Sequence, residues 1–326
     1  MIVTVGDLHL SNDRAWSSKV SNDVIDFLLT HPSNTAENIL VLTGDVTDKS
    51  SVDGEVTKML HRLFEGLKYK FVYICMGNHE GKVKNKKIAL TYDFVEKLDR
   101  RFKIVRTIKD LILEEANCLF LPHIYPNENS SLKDYESIDP SLATQEYDLI
   151  FGHITDSRCT FPSSEKINIS YLKTKQFLFG HIHDGGLKNL GYLGSVIPNS
   201  IAETDFNRYM VTINNGSIKW DTLPTFLEYK EVTYPNPLPE SKGATVVWTV
   251  LDCSDENIAR THYKDSEMFI RKTVYSSVIN KDEFNKVLGS SSTDKGFKFF
   301  LDDWLMTKGT SLKESVRTKV EYYAKK

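Results

Sequence analysis

Metal-binding residue types recur at the ends of short apolar runs, and this recurrence constrains the chain more than any other feature. Five clusters occur in order: Asp7-Leu8-His9, Gly44-Asp45-Val46-Thr47-Asp48, Gly77-Asn78-His79-Glu80, Gly152-His153 and Gly180-His181-Ile182-His183. They follow apolar runs at residues 2–5, 39–42, 71–75, 148–151 and 176–179. Short apolar runs bounded by turn residues read as buried strands. Taken singly, each cluster has a plain structural reading, such as a turn or a buried histidine. Five in succession, each after a strand, are hard to obtain by accident. Loops beyond the carboxyl ends of strands converge on the binding crevice of an α/β sheet, so the pattern predicts one shared site.

The elements between the clusters fit that reading. Residues 20–29 (Val20, Val24, Phe27, Leu28) and 52–67 (Val56, Met59, Leu60, Leu63, Phe64, Leu67) carry helical spacing, and 90–102 is read as a third helix. Alternating strands and helices imply parallel strands joined by crossover helices. The second half is richer in strands. Residues 111–113 and 118–121 read as a hairpin, as do 209–213 and 218–220 around Asn214-Asn215-Gly216. The expected fold class is α/β, a two-layer β-sandwich core flanked by helices. Pro235-Asn236-Pro237-Leu238-Pro239 is the linker candidate. It divides an expected domain at 1–235 from a small α+β unit at 240–326. That unit has strands at 245–251 and 268–275 and helices at about 281–288 and 311–323.

The donor set narrows the chemistry. Mixed carboxylates and imidazoles suit Mn²⁺, Fe²⁺ or Zn²⁺, and a site of oxygen alone would favour Mg²⁺ or Ca²⁺. No cysteine joins a cluster, which argues against a structural thiolate zinc site. The ligands suffice for two ions sharing one carboxylate. Such a pair, about 3.5–4 Å apart, activates water for in-line displacement at phosphorus. Cys75, Cys118, Cys159 and Cys253 form no CxxC pair and read as buried thiols of a reducing cytoplasm. The first residues read as a strand, not a signal peptide. No apolar run approaches the ~20 residues that span a bilayer, so a cytoplasmic protein without membrane contact is expected. The net charge of −3 does not advertise nucleic-acid binding. Residues 242–326 carry 15 basic and 12 acidic side chains against 26 and 32 in residues 1–241, a mild basic bias that could meet phosphate.

The five clusters resemble the signature of the calcineurin-like metallophosphoesterase superfamily: D-x-H, G-D-x-x-D, G-N-H-[DE], G-H and G-H-x-H. The resemblance implies that Asp7, His9, Asp45 and His183 hold one metal, and Asp45, Asn78, His153 and His181 the other. It implies a catalytic role for His79, with Glu80 orienting it and Asp48 a supporting or turn residue. Tyr192-Leu193-Gly194-Ser195, followed by Ile201-Ala202-Glu203, is similar to the SbcD-type double-strand-break repair nucleases and the related phage recombination subunit. Val196-Ile197-Pro198 departs from their pattern, in which proline follows at once.

That narrower resemblance implies a manganese-dependent DNA nuclease acting in repair or recombination. It implies a homodimer working with an SbcC-type ATPase, a C-terminal capping domain that places DNA, and an ATPase contact near 311–323. The chain is short for a cellular member, so a phage-like one in a host cytoplasm is expected. Arg14, Lys82 and Lys84 are candidate substrate contacts, and His123 reads as a core or surface histidine. A protein phosphatase or small-molecule phosphodiesterase on the same site is the alternative. A scaffold without turnover is a third reading, which the complete ligand set disfavours.

Overall fold

A computed structural model describes residues 1–84, 87–124, 139–160, 166–200, 203, 205–239, 244–253, 256–263 and 269–274. In chain order its elements are β1 (Ile2–Val5), α1 (Ser17–Thr30), β2 (Ile39–Leu42), α2 (Gly54–Gly66), β3 (Phe71–Cys75), β4 (Gly81–Lys84), β5 (Lys87–Leu90), α3 (Val95–Leu98), β6 (Phe102–Val105), β7 (Lys109–Leu113) and β8 (Ala116–Leu121). There follow β9 (Glu146–His153), β10 (Thr155–Asp156), β11 (Lys166–Ile167), β12 (Lys173–Gly180), β13 (Tyr209–Asn214), β14 (Ser217–Thr222), β15 (Leu227–Thr233), β16 (Thr245–Leu251), α4 (Glu256–His262) and β17 (Phe269–Val274).

Two sheets face each other. One has the order β14-β13-β1-β2-β3-β6, the other β12-β9-β8-β7. Strands β1, β2, β3 and β6 run parallel, and so do β8, β9 and β12. Side-chain alternation explains the layering. In β2, Ile39 and Val41 face the opposite sheet, where they meet Cys118, Phe120, Leu149 and Phe151. Leu40 and Leu42 point the other way, into the layer formed by Val20, Val24 and Leu28 of α1 and Met59, Leu60 and Leu63 of α2. The outer face of the smaller sheet buries Leu119, Leu121, Ile150 and Phe179 under loop residues such as Leu142, Ile154 and Ile169. This is the expected sandwich flanked by helices. Asp53 caps α2 by accepting from the backbone N–H groups of Glu55 and Val56.

The third helix expected at 90–102 is a correction. Only α3, one turn, is helical there. Leu90 is paired in the β4–β5 hairpin, its N–H donates to the Asp93 carboxylate at 2.9 Å, and Asp93 also holds Arg106 at 2.7 Å. Those contacts and the pairing of β6 with β3 outcompete the apolar spacing. The proline-rich stretch at 235–239 connects neighbouring strands of one parallel sheet, β15-β16-β17. Leu227, Tyr229 and Val247 join the main core beside α1. Val232, Trp248, Val250 and Ala259 form a separate small core. The helices expected at 281–288 and 311–323, and with them the ATPase contact, lie outside the described residues. All four cysteines are buried and none is in a disulfide. Among the described residues no helix is long and apolar enough to cross a membrane.

Candidate metal centre

All five clusters meet at the carboxyl ends of β1, β2, β3, β9 and β12. The backbone pays for this convergence in local strain. Asp7, His9, Asp45 and His181 have φ of 50°, 47°, 46° and 79°, a left-handed region that costs residues with a Cβ about 1–3 kcal/mol each. Adjacent loops stitch the turns together: Asp7 N–H donates to Gly44 at 3.1 Å, and His9 N–H donates to Asp45 at 2.9 Å. Gly44 is required by both conformation and space. Its φ is +99°, and a Cβ there would lie 2.2 Å from His153 Nδ1.

Asp45 sits at the middle. Its Oδ1 accepts from the His79 N–H at 3.0 Å. Its Oδ2 lies 3.1 Å from His153 Nε2, 3.9 Å from His79 Nε2 and 4.0 Å from His9 Nε2. Two groups of candidate ligands share it: His9, Asp45 and His79 on one side, Asp45, His153 and His181 on the other. Asn78 joins the second, its Oδ1 being 2.9 Å from both His153 Nε2 and His181 Nδ1. His183 joins the first, its Nε2 being 3.1 Å from His9 Nε2. Asp7 is fully buried and accepts from the His181 N–H with both oxygens at 3.0 Å.

The tautomers show what the centre requires. His153 Nδ1 lies 2.8 Å from the Thr43 carbonyl, which can only accept, so Nδ1 carries the proton. Its Nε2 then faces two oxygens, those of Asn78 and Asp45. His183 Nδ1 likewise donates to the Glu203 carboxylate at 3.0 Å, leaving its Nε2 aimed at His9. Lone pairs converging in a buried space repel unless positive charge lies among them. The electrostatics agree. Burial opposes charge on His153, but Asp45, Asp7 and Glu80 hold its imidazole up at about 10. Burial favours a protonated Asp45, yet His153, His9 and His79 hold it well below its ordinary value. Burial raises Asp7, against the pull of His153. Burial, then His153, pushes His181 down to about 3, so it stays neutral. Protons at this centre stand in for cations, and the residues present fit divalent ions.

Some expected roles change. Glu80, expected to orient His79, instead accepts from the backbone N–H groups of Val46 and of Gly77, the latter at 2.9 Å. It ties the loops after β2 and β3 together. Burial, then Asp45, pushes its carboxyl up to about 8. The orienting contact to His79 comes from Asp48, whose backbone carbonyl accepts from His79 Nδ1 at 2.6 Å. The His79 side chain keeps 34% exposure and faces the open side. Arg14 lies on the cleft beside His9 and Asp48. Its guanidinium donates to the Asn199 carbonyl and the Tyr229 hydroxyl, both at 3.2 Å. Lys82 and Lys84 lie in β4, but their side chains are outside the described residues. His123 is drawn close, its ring 6.3 Å from that of His181, and burial pushes it down to about 4.

Three supporting residues escaped the sequence reading of the site. Thr43 supplies the carbonyl for His153. Ser195 Oγ donates to the Asp7 carbonyl at 3.1 Å, and Val196 N–H to the same oxygen at 3.0 Å. Glu203 backs His183. Thr43 lies outside every motif, and Ser195 and Glu203 stand in the stretches of the narrower resemblance without a site role read for either, because each acts through contacts distant in sequence.

A sequence profile described as calcineurin-like phosphoesterase matches residues 1–185. Among solved structures the chain is similar to a novel archaeal phosphodiesterase, at 12% identity over 68% of this chain and 99% of that one, with a TM-score of 0.35. It is similar to a protein of unknown function from Aquifex aeolicus at 20% identity over 52% and 88%, TM-score 0.29. Phosphopantetheinyl hydrolase from Mycobacterium tuberculosis matches at 11% identity over 68% and 87%, TM-score 0.35. No curated protein matches the chain.

Proposed function

This chain belongs to the calcineurin-like phosphoesterase family and is a metal-dependent phosphoester hydrolase; on that premise we propose that it is a DNA nuclease. The observation that carries the metal-centre reading is the convergence of imidazole nitrogens on the Asp45 carboxylate, with His153 Nε2 at 3.1 Å and His9 Nε2 at 4.0 Å. In this reading Asp7, His9, Asp45 and His183 hold one divalent ion, and Asp45, Asn78, His153 and His181 the second. Mn²⁺ suits the mixed donors. A bound pair supplies activation of water and charge neutralisation at the phosphoryl oxygens.

The rest of the work falls to side chains of this protein. His79 is fixed by its N–H to Asp45 and its Nδ1 to Asp48. That leaves Nε2, 3.9 Å from Asp45 Oδ2 on a side chain that is one-third exposed, as the atom that would pass a proton to the departing oxygen. Arg14, braced by Asn199 and Tyr229, presents its guanidinium to a backbone phosphate. Support for DNA comes from Arg14 at the cleft and from the Tyr192-Leu193-Gly194-Ser195 stretch, whose serine buttresses Asp7. The SbcD-type subfamily, a homodimer, an SbcC-type ATPase partner and a role in repair or recombination belong to the same proposal.

The test is cleavage of linear duplex and single-stranded DNA by the full chain with Mn²⁺. His79→Ala should lose ~10²–10⁴ in rate while still binding metal. Turnover of bis-p-nitrophenyl phosphate with no cleavage of any DNA would sink the nuclease assignment and favour a small-molecule phosphodiesterase.

A further inference from the structure

We infer that Glu203 is a positioning residue that sets the donor strength of His183 and makes the two halves of the centre unequal. This rests on the metal-centre reading above. Glu203 Oε2 accepts from His183 Nδ1 at 3.0 Å and from the Asn199 N–H at 2.8 Å. Its Oε1 accepts from the Ser200 hydroxyl at 3.2 Å. The Glu203 carbonyl accepts from Arg208 Nη2 at 2.7 Å, and Arg208 is itself buried. The carboxylate is therefore held from several directions.

A charged acceptor on Nδ1 fixes one tautomer, with the Nε2 lone pair facing His9. It also makes that nitrogen a stronger donor, as carboxylate-backed imidazoles are in metal sites. Two other imidazoles of the centre hold a carboxylate only beyond hydrogen-bond distance of Nδ1, Asp7 Oδ1 at 3.6 Å from His153 and Asp48 Oδ1 at 3.8 Å from His79. His153 and His79 donate Nδ1 to the uncharged carbonyls of Thr43 and Asp48. The half containing His9 and His183 thus has a reinforced ligand that the half containing His153 does not. Glu203 lies twenty residues after His183, on the stretch that follows Ser195, outside the five metal-ligand clusters.

The test is Mn²⁺ binding to the full-length chain by equilibrium dialysis, with the electron paramagnetic resonance spectrum recorded on the same samples. The parent should bind two ions per chain and show the signature of a coupled pair. Glu203→Ala should bind one ion as before and the other ~10–100-fold more weakly, with a mononuclear spectrum at stoichiometric Mn²⁺. Glu203→Gln keeps the shape and an acceptor but not the charge, and should fall between. Excess Mn²⁺ should restore the coupled signal in both variants. A parent that binds two ions, with Glu203→Gln and Glu203→Ala that bind both equally well, overturns this inference alone. Weakening both ions equally in Glu203→Gln overturns it too. A parent that binds no Mn²⁺ overturns the metal-centre reading itself.

Discussion

Replacing Glu80 separates two ways in which this centre could be held together. Its carboxylate is fully buried and accepts from the backbone N–H groups of Val46 and Gly77. Those two donors belong to the loops that carry Asp45 and Asn78. Glu80→Ala leaves both buried without an acceptor. Each unsatisfied donor costs about 1–3 kcal/mol, so the pair costs about 2–6 kcal/mol before any cavity is counted. Against a typical total stability of about 5–15 kcal/mol, the loss is large. Urea unfolding of the full chain at pH 7 should show a lower midpoint with an unchanged slope. Mn²⁺ affinity should fall as well, because both loops lose their common anchor. If Glu80 acted through His79 instead, turnover alone would fall. A Glu80→Ala chain within ~0.5 kcal/mol of the parent, with metal binding intact and only kcat reduced, would refute the loop-tie account.

Gly44→Ala places a Cβ 2.2 Å from His153 Nδ1 at a φ of +99°; strain and overpacking should each cost about 1–3 kcal/mol, read out by thermal unfolding and accompanied by weaker Mn²⁺ binding. Arg14→Ala should raise KM for DNA regardless of sequence and reduce the slope of log affinity against log salt by about 1, measured by binding across a salt series. Chelation should abolish hydrolysis and lower Tm, and Mn²⁺ at 100 times its Kd should return about 2.7 kcal/mol of stability per site, followed by scanning calorimetry. Asp53 accepts from Asn12 and from the N–H groups of Val56 and Glu55, and these bonds hold its carboxyl below the ordinary value of 3.8. Its contribution is therefore present above pH 3.8 and lost as pH falls through the lower folded value; the stability gap between parent and Asp53→Ala should be full at pH 7 and close in acid.

The inventory of the centre was legible in the sequence because strand ends and turn residues are local signals. Asp7, His9, Asp45, Asn78, His153, His181 and His183 follow short apolar runs, and parallel strands bring their carboxyl ends to one edge. The helices α1 and α2 were legible for the same reason, from apolar residues at 3.6-residue spacing. Residues 90–102 carry a similar spacing but are mostly not helical, since pairing of β5 and β6 and the contacts of Asp93 decide the backbone there. The proline-rich stretch reads as a boundary, yet β15 and β16 pair across it; composition reports turns and cannot report which strands pair. Which carboxylate does which task was also closed to the sequence. Glu80 stands beside His79 in the chain but binds the backbone of Val46 and Gly77, and Glu203 stands apart from every cluster but binds His183. Short-range order fixes residue types at strand ends. Partnership between buried polar groups depends on distance and direction in space, which only the folded chain defines.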